Sequence, residues 1–228
     1  MCNYKSGVIT RDGRVFVEMD TDSHEEMVKR HALREGPESD PWANYISVEC
    51  MPKRDLLSRK REDWDYRLDE RDAKPAWYAE DEAHFEELFF TALYSHLDAR
   101  EEELRLTGIW RGGLALWKGA ALTAPGLETV ERDIWLHEGA TLTAPRLKTV
   151  EGDITLREGA TLTAPGLKTV ERNIWLREGV TLNAPKLSKV GDVRLYEGAT
   201  LTAPRLKAVE GGITLWAGAT LNAPKLER

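Results

Sequence analysis

The chain has 228 residues, 41% of them hydrophobic, enough for one large domain or two small ones, and carries a net charge of −7. No apolar run approaches the roughly 18 residues that span a bilayer. Met1-Cys2-Asn3-Tyr4-Lys5-Ser6-Gly7 is not a basic segment followed by an apolar core, so the sequence predicts a cytoplasmic protein with no membrane partner. Two cysteines and five scattered histidines supply no ligand set at metal spacing, and no Gly-rich phosphate loop or paired-carboxylate motif occurs, so neither cofactor nor metal is expected.

The charge is divided unequally. Residues 1–103 hold 15 Lys and Arg against 26 Asp and Glu, and residues 104–228 hold 17 against 13. This division marks the expected domains, an acidic α+β domain over 1–103 and a repeat domain over 104–228. In the first, Asp12-Gly13 between two apolar runs predicts a hairpin. Asp22 or Ser23 caps a helix from His24 to about Leu33. Tyr45 to Met51 reads as a strand stopped by Pro52, and Trp64 to Asp69 as its hairpin partner. Between them Lys53 to Arg61 is a basic patch. A long helix follows over about 79–103, with Phe85, Leu88, Phe89, Ala92, Leu93, His96 and Leu97 on one apolar stripe. The predicted order is ββαββα.

The second part is repetitive. Pro125, Pro145, Pro165, Pro185, Pro204 and Pro224 follow one another at 20, 20, 20, 19 and 20 residues, and a fixed period of that size means a solenoid. In the coil from Leu147 to Gly166, Ile154-Thr155-Leu156 and Leu162-Thr163-Ala164 alternate, which predicts two short strands with one face inward and a turn at Glu158-Gly159. The expectation is an all-β parallel solenoid of five to six coils. The shorter coil at Val190-Gly191-Asp192 is expected only to tighten a corner. The motif Leu-x-x-Val-x-Gly-Asp-Ile-x-Leu from Leu147 to Leu156 resembles leucine-rich repeats, in particular the short coils of bacterial surface-type repeats and receptor L domains. It departs from them in having no Asn-ladder position and in replacing the helical side with Thr-Leu-Thr-Ala-Pro. The N-terminal part, beginning Met-Cys, is similar to short uncharacterised proteins of phages and gut bacteria, which implies a mobile-element origin.

Alternation sets two outward columns on the first strand of each coil. One is Ala115, Trp135, Thr155, Trp175, Arg194 and Thr214. The other is Trp117, His137, Arg157, Arg177, Tyr196 and Trp216. Aromatics mixed with arginine anchor protein interfaces, so Trp117, Trp135, His137, Arg157, Trp175, Arg177, Arg194, Tyr196 and Trp216 are the expected binding residues. The plainer account is that these side chains cover one another. Stacking on nucleic-acid bases is disfavoured by the bordering Glu138, Glu158, Glu178 and Glu197. The Thr-x-Thr columns of the other strand resemble those of ice-binding proteins, although Thr also suits any exposed parallel strand. The last coil has no polar cap after it, which predicts a homodimer through Leu215, Leu221 and Leu226.

The expected function is a non-catalytic module that binds another protein, a bacterial protein or complex. In its concrete form it is a phage-encoded inhibitor of a bacterial defence complex, occupying a protein surface or, through the acidic domain, a nucleic-acid-binding one. Two alternatives stand beside it. Cys2, exposed by removal of Met1, resembles the start of N-terminal-nucleophile amidohydrolases, with His24 or His31 assisting and Glu49 orienting one of them. A structural subunit of a larger assembly is the other.

Overall fold

The structure is a computed structural model and describes residues 5–17, 23–34, 44–53, 55–69 and 74–227. Cys2 and the candidate cap Asp22 lie outside these residues. The chain divides into two compact units, Met1–Lys53 with Leu57–Glu101, and Arg54–Leu56 with Glu102–Arg228. Among the described residues no helix is long and apolar enough to cross a membrane.

The first unit is an antiparallel sheet with helices, an α+β arrangement as expected. Its strands are β1 (Lys5–Thr10), β2 (Val15–Val17), β3 (Tyr45–Pro52) and β4 (Trp64–Leu68), in the order β2-β1-β3-β4. Asp12-Gly13 makes the hairpin turn: Gly13 has φ +83° and its N–H donates to Thr10 O at 2.9 Å. Helix α1 (His24–Arg30) is capped by Ser23, whose side chain accepts from Glu26 N, and it ends three residues sooner than the sequence predicts. A single turn, α2 (Ala76–Ala79), precedes the long α3 (Glu82–Thr107). Phe85, Phe89, Phe90, Leu93, Leu97 and Leu104 are its buried face. His96, expected on that stripe, is exposed, because over 26 residues a 3.6-residue period carries the stripe to Arg100 and Leu104 instead. Phe89 lies directly on β1 at Gly7, where a Cβ would come within 2.5 Å of its ring. Arg54 of the basic patch lies outside the described residues, and part of the rest is engaged. Arg61 pairs with Glu86, and Arg59 pairs with Asp98 at 2.7 Å and Glu101 at 2.9 Å.

The second unit holds six coils of parallel β-solenoid. Each coil has three strands rather than the two expected. Ile-x-Leu strands such as Ile154–Leu156 form one six-stranded sheet, and two-residue strands such as Thr149–Val150 form another. The third strand runs Thr161–Thr163, so it starts one residue before the predicted Leu162. Leu147, Val150, Ile154, Leu156 and their equivalents in the inner coils are fully buried. This row is what makes the sequence a solenoid: a single coil has nothing to cover it, and stacking buries each row against the next.

A side-chain ladder runs up the corner before the Ile-x-Leu strands, at a position the sequence reading held to be absent. Asp133 Oδ1 accepts from Asp153 N at 2.7 Å, Asp153 Oδ1 from Asn173 N at 2.9 Å, Asn173 Oδ1 from Asp192 N at 3.0 Å, and Asp192 Oδ1 from Gly212 N at 2.8 Å. Asn173 Nδ2 also donates to Asp153 Oδ1 at 3.0 Å. Each side chain satisfies a backbone N–H that the corner withdraws from the sheet ladders, and an orphaned donor there would cost about 1–3 kcal/mol. The 19-residue coil loses its residue at this corner. Gly191 N–H reaches Arg172 O at 2.7 Å, and a Cβ at Gly191 would stand 2.4 Å from that oxygen. Glycine therefore absorbs the deletion, and the register continues with Ile174 opposite Val193.

The third ladder does not run unbroken. It divides into two three-stranded sheets, between Thr161–Thr163 and Thr181–Asn183. Thr161 N–H reaches Ala140 O at 2.8 Å and Thr200 N–H reaches Val180 O at 2.8 Å, but no such bond joins Thr181 to the coil before it. The residue that differs is Val180, which stands inward where the other coils place Ala120, Ala140, Ala160, Ala199 and Ala219. Its branched carbons hold the corner open, and Ala160 and Leu162 retain 5% exposure where Ala140 and Leu142 have none. The Thr181 and Ala164 amides are expected to exchange about tenfold or more faster than those of Thr161 and Ala144. Val180→Ala is expected to remove the difference, as read by residue-resolved hydrogen exchange.

Candidate functional site

The outward columns of the Ile-x-Leu sheet form one face. Strand register places Ala115, Trp135, Thr155, Trp175, Arg194 and Thr214 in line across six coils. The second column follows each strand, held by bonds such as His137 N to Leu116 O at 2.9 Å and Trp216 N to Leu195 O at 2.9 Å. All nine expected binding residues therefore share this face.

Within the face the side chains interlock. Trp117 and His137 stack with centroids 4.2 Å apart, and Trp135 lies 5.8 Å from the same imidazole. Two arginine guanidiniums stand over aromatic rings one coil away: Arg194 over Trp175 at 4.5 Å and Arg177 over Tyr196 at 4.2 Å. Tyr196 in turn stacks on Trp216 at 4.3 Å and 7°, which makes a column of Arg177, Tyr196 and Trp216. Trp216 is 43% exposed, and the other eight are half-buried. The indole Nε1 atoms of Trp135 and Trp175 are closed off from solvent without a hydrogen-bond partner. Those two rings consequently offer a partner carbon surface and no donor.

The edge of the face is charged. Arg157, Arg177, Glu138, Glu158 and Glu178 line a cleft of about 240 Å³. Arg157 reaches Glu138 at 3.3 Å, and Arg194 reaches Asp192 at 3.3 Å. A backbone hydrogen bond, and then Arg157, hold the Glu138 carboxyl below the usual range. Burial, and then the charge of Arg157, lower the pKa of His137, while Glu138 pulls weakly the other way.

The remaining candidates do not gather into a second site. His24 Nε2 lies 3.0 Å from Val48 O and its Nδ1 3.3 Å from Asp69, so both ring nitrogens face oxygen acceptors and neither is open toward a nucleophile. His31 stacks on Phe16 at 4.0 Å. Glu49 pairs with Arg67 across β3 and β4 at 2.8 Å; the carboxylate that meets His24 is Asp69, which sequence reasoning did not single out. Cys50 is a free, fully buried thiol, and burial pushes its pKa far up, away from reactive thiolate. Among the described residues no group of His, Cys, Asp or Glu is placed to hold a metal ion. On the last coil Leu215 is 46% exposed beside Ile213 at 42%, and Leu221 and Leu226 are half-buried, whereas the equivalent row one coil earlier is fully buried.

Comparison with protein-family models, with curated proteins and with solved structures gave no match. The site rests on its own geometry.

The stack at His137 has a pH signature. A lowered folded-state value means that the folded chain binds fewer protons than the unfolded one below the ordinary value of 6.5. The stabilisation is complete above that value and is lost as pH falls through the folded one. Melting of the wild type is expected to drop more between pH 7 and pH 5 than melting of His137→Gln, measured by circular dichroism. An equal drop in both proteins contradicts the assignment.

Proposed function

We propose that the chain is a non-catalytic protein-binding module whose Ile-x-Leu sheet presents an aromatic and arginine face to another protein. The observation that carries this reading is the column of Arg177, Tyr196 and Trp216, stacked in advance on a sheet whose inner row is buried up to the last coil. Aromatics and arginines already held in place lose little freedom on binding, and they are the residues in which interface energy concentrates. In its specific form the module inhibits a bacterial protein or complex by occupying its surface. The paired carboxylates Glu86, Asp98 and Glu101 give no support to mimicry of nucleic acid, so the reading rests on the solenoid. The open side of the last coil favours a second contact, with another copy of the chain. A two-fold axis there would set the exposed Ile213 and Leu215 row against its own equivalent.

Tagged wild type and an Arg177→Glu/Trp216→Ala double variant, both checked for an unchanged fold by circular dichroism, test the proposal in a pull-down from bacterial lysate. A partner that the wild type retains and the double variant loses is the expected result. Equal recovery would move the interface elsewhere. Light scattering on the same samples reports the second contact: the mass of two chains for wild type and of one for Leu215→Lys.

A further inference from the structure

A cleft of about 630 Å³ opens in the first unit, between the β1–β2 turn, the residues after α1 and the start of β3. Its charged lining is Arg11, Asp12, Arg14 and Arg34, with His31 and Tyr45 beside them. The residues up to 103 carry a large excess of acid, yet among the described residues this cleft is lined by three arginines and one carboxylate. That carboxylate is engaged: Asp12 accepts from Arg14 Nε at 2.9 Å and from the Thr10 hydroxyl. Arg11 and Arg34 make no ion pair among the described residues.

The two arginines are brought to one place by the backbone. Asn44 ties both arms: its carbonyl accepts from Arg11 N at 2.9 Å, and its Nδ2 donates to Arg34 O at 3.1 Å. The end of α1 also faces this region, and free helix carbonyls there would repel an anion. Three of them are capped instead. His31 N donates to Met27 O at 3.0 Å, Ala32 N to Lys29 O at 3.1 Å and Leu33 N to Val28 O at 2.9 Å. Fewer helix carbonyls are thus left to oppose an anion in the cleft.

We propose that this cleft binds a small phosphate ester, with the phosphate chelated by the Arg11 and Arg34 guanidiniums. Guanidinium forks match phosphate oxygens in pairs, and two of them on separate chain segments suit a dianion better than a single carboxylate. The volume is that of a nucleotide-sized ligand rather than of a bare ion, and the His31 imidazole gives the organic part a ring to lie against. This site is independent of the solenoid face and stands if that face binds nothing.

Isothermal titration of the full chain at low salt, with pyrophosphate and with ATP as probes and adenosine as the uncharged control, tests it. Binding of ATP and pyrophosphate but not adenosine is expected. Arg11→Ala/Arg34→Ala is expected to weaken it about tenfold or more, and Arg177→Glu on the solenoid to leave it unchanged. Tighter binding of ATP than of pyrophosphate would place the organic part against the ring; equal binding would reduce the site to a phosphate site and overturn the ester. No binding at millimolar concentration overturns the proposal, as does an equal loss in Arg177→Glu, which would mark nonspecific attraction. Both arginines are exposed, and circular dichroism of the double variant separates lost binding from lost fold.

Discussion

One constraint governs the second half of this chain: the inward row of a coil is covered only by another coil. Ile154, Leu156, Leu162 and Val150 of a single coil form no closed core, and each acquires one from the coils above and below. The same stacking fixes the backbone, because N–H groups of one coil meet carbonyls of its neighbour along all three faces. At the corner before the Ile-x-Leu strands this bonding fails, and there the chain substitutes side chains. The ladder of Asp133, Asp153, Asn173 and Asp192 supplies acceptors up one corner. At Val180 no substitute exists, and one face of the solenoid opens.

The outward face follows from the same register. Identical coils would give columns of identical side chains, and the sequence departs from identity at these positions. Trp, Thr and Arg alternate in one column, and Trp, His, Arg and Tyr succeed one another in the next. The departures are paired. Both arginine-on-aromatic contacts, Arg194 on Trp175 and Arg177 on Tyr196, span 19 residues, which is the length of the one short coil. Had Gly191 not absorbed that deletion at the corner, the register would have slipped and these rings would have lost their cations. The face depends on the corner, and the corner depends on a glycine that can approach Arg172 O.

The period, the coil count and the outward columns were legible in the sequence because alternation and the proline spacing are local signals. The two-residue strands were not, since Thr149–Val150 is too short to alternate. The corner ladder was hidden because Asp, Asp, Asn and Asp share a role rather than an identity, with Gly at either end. The consequence of Val180 was invisible because its hydrophobicity matches the alanines it replaces and only its volume differs. In the first unit the hairpin and the order of elements were readable, but the pairing of His24 with Asp69 joins residues 45 apart by a route that no periodicity encodes. The arginine cleft was missed for the same reason. Arg11, Arg34 and Asn44 become neighbours only when β1 and β3 pair.

The Ile-x-Leu face is proposed as the surface that meets a partner. Hydrogen exchange of the chain alone and with the captured partner tests this. New protection is expected along the Ile-x-Leu strands and the residues after them, Ile174 to Arg177, Val193 to Tyr196 and Ile213 to Trp216. Protection confined to residues 5–69, with these strands unchanged, would contradict it.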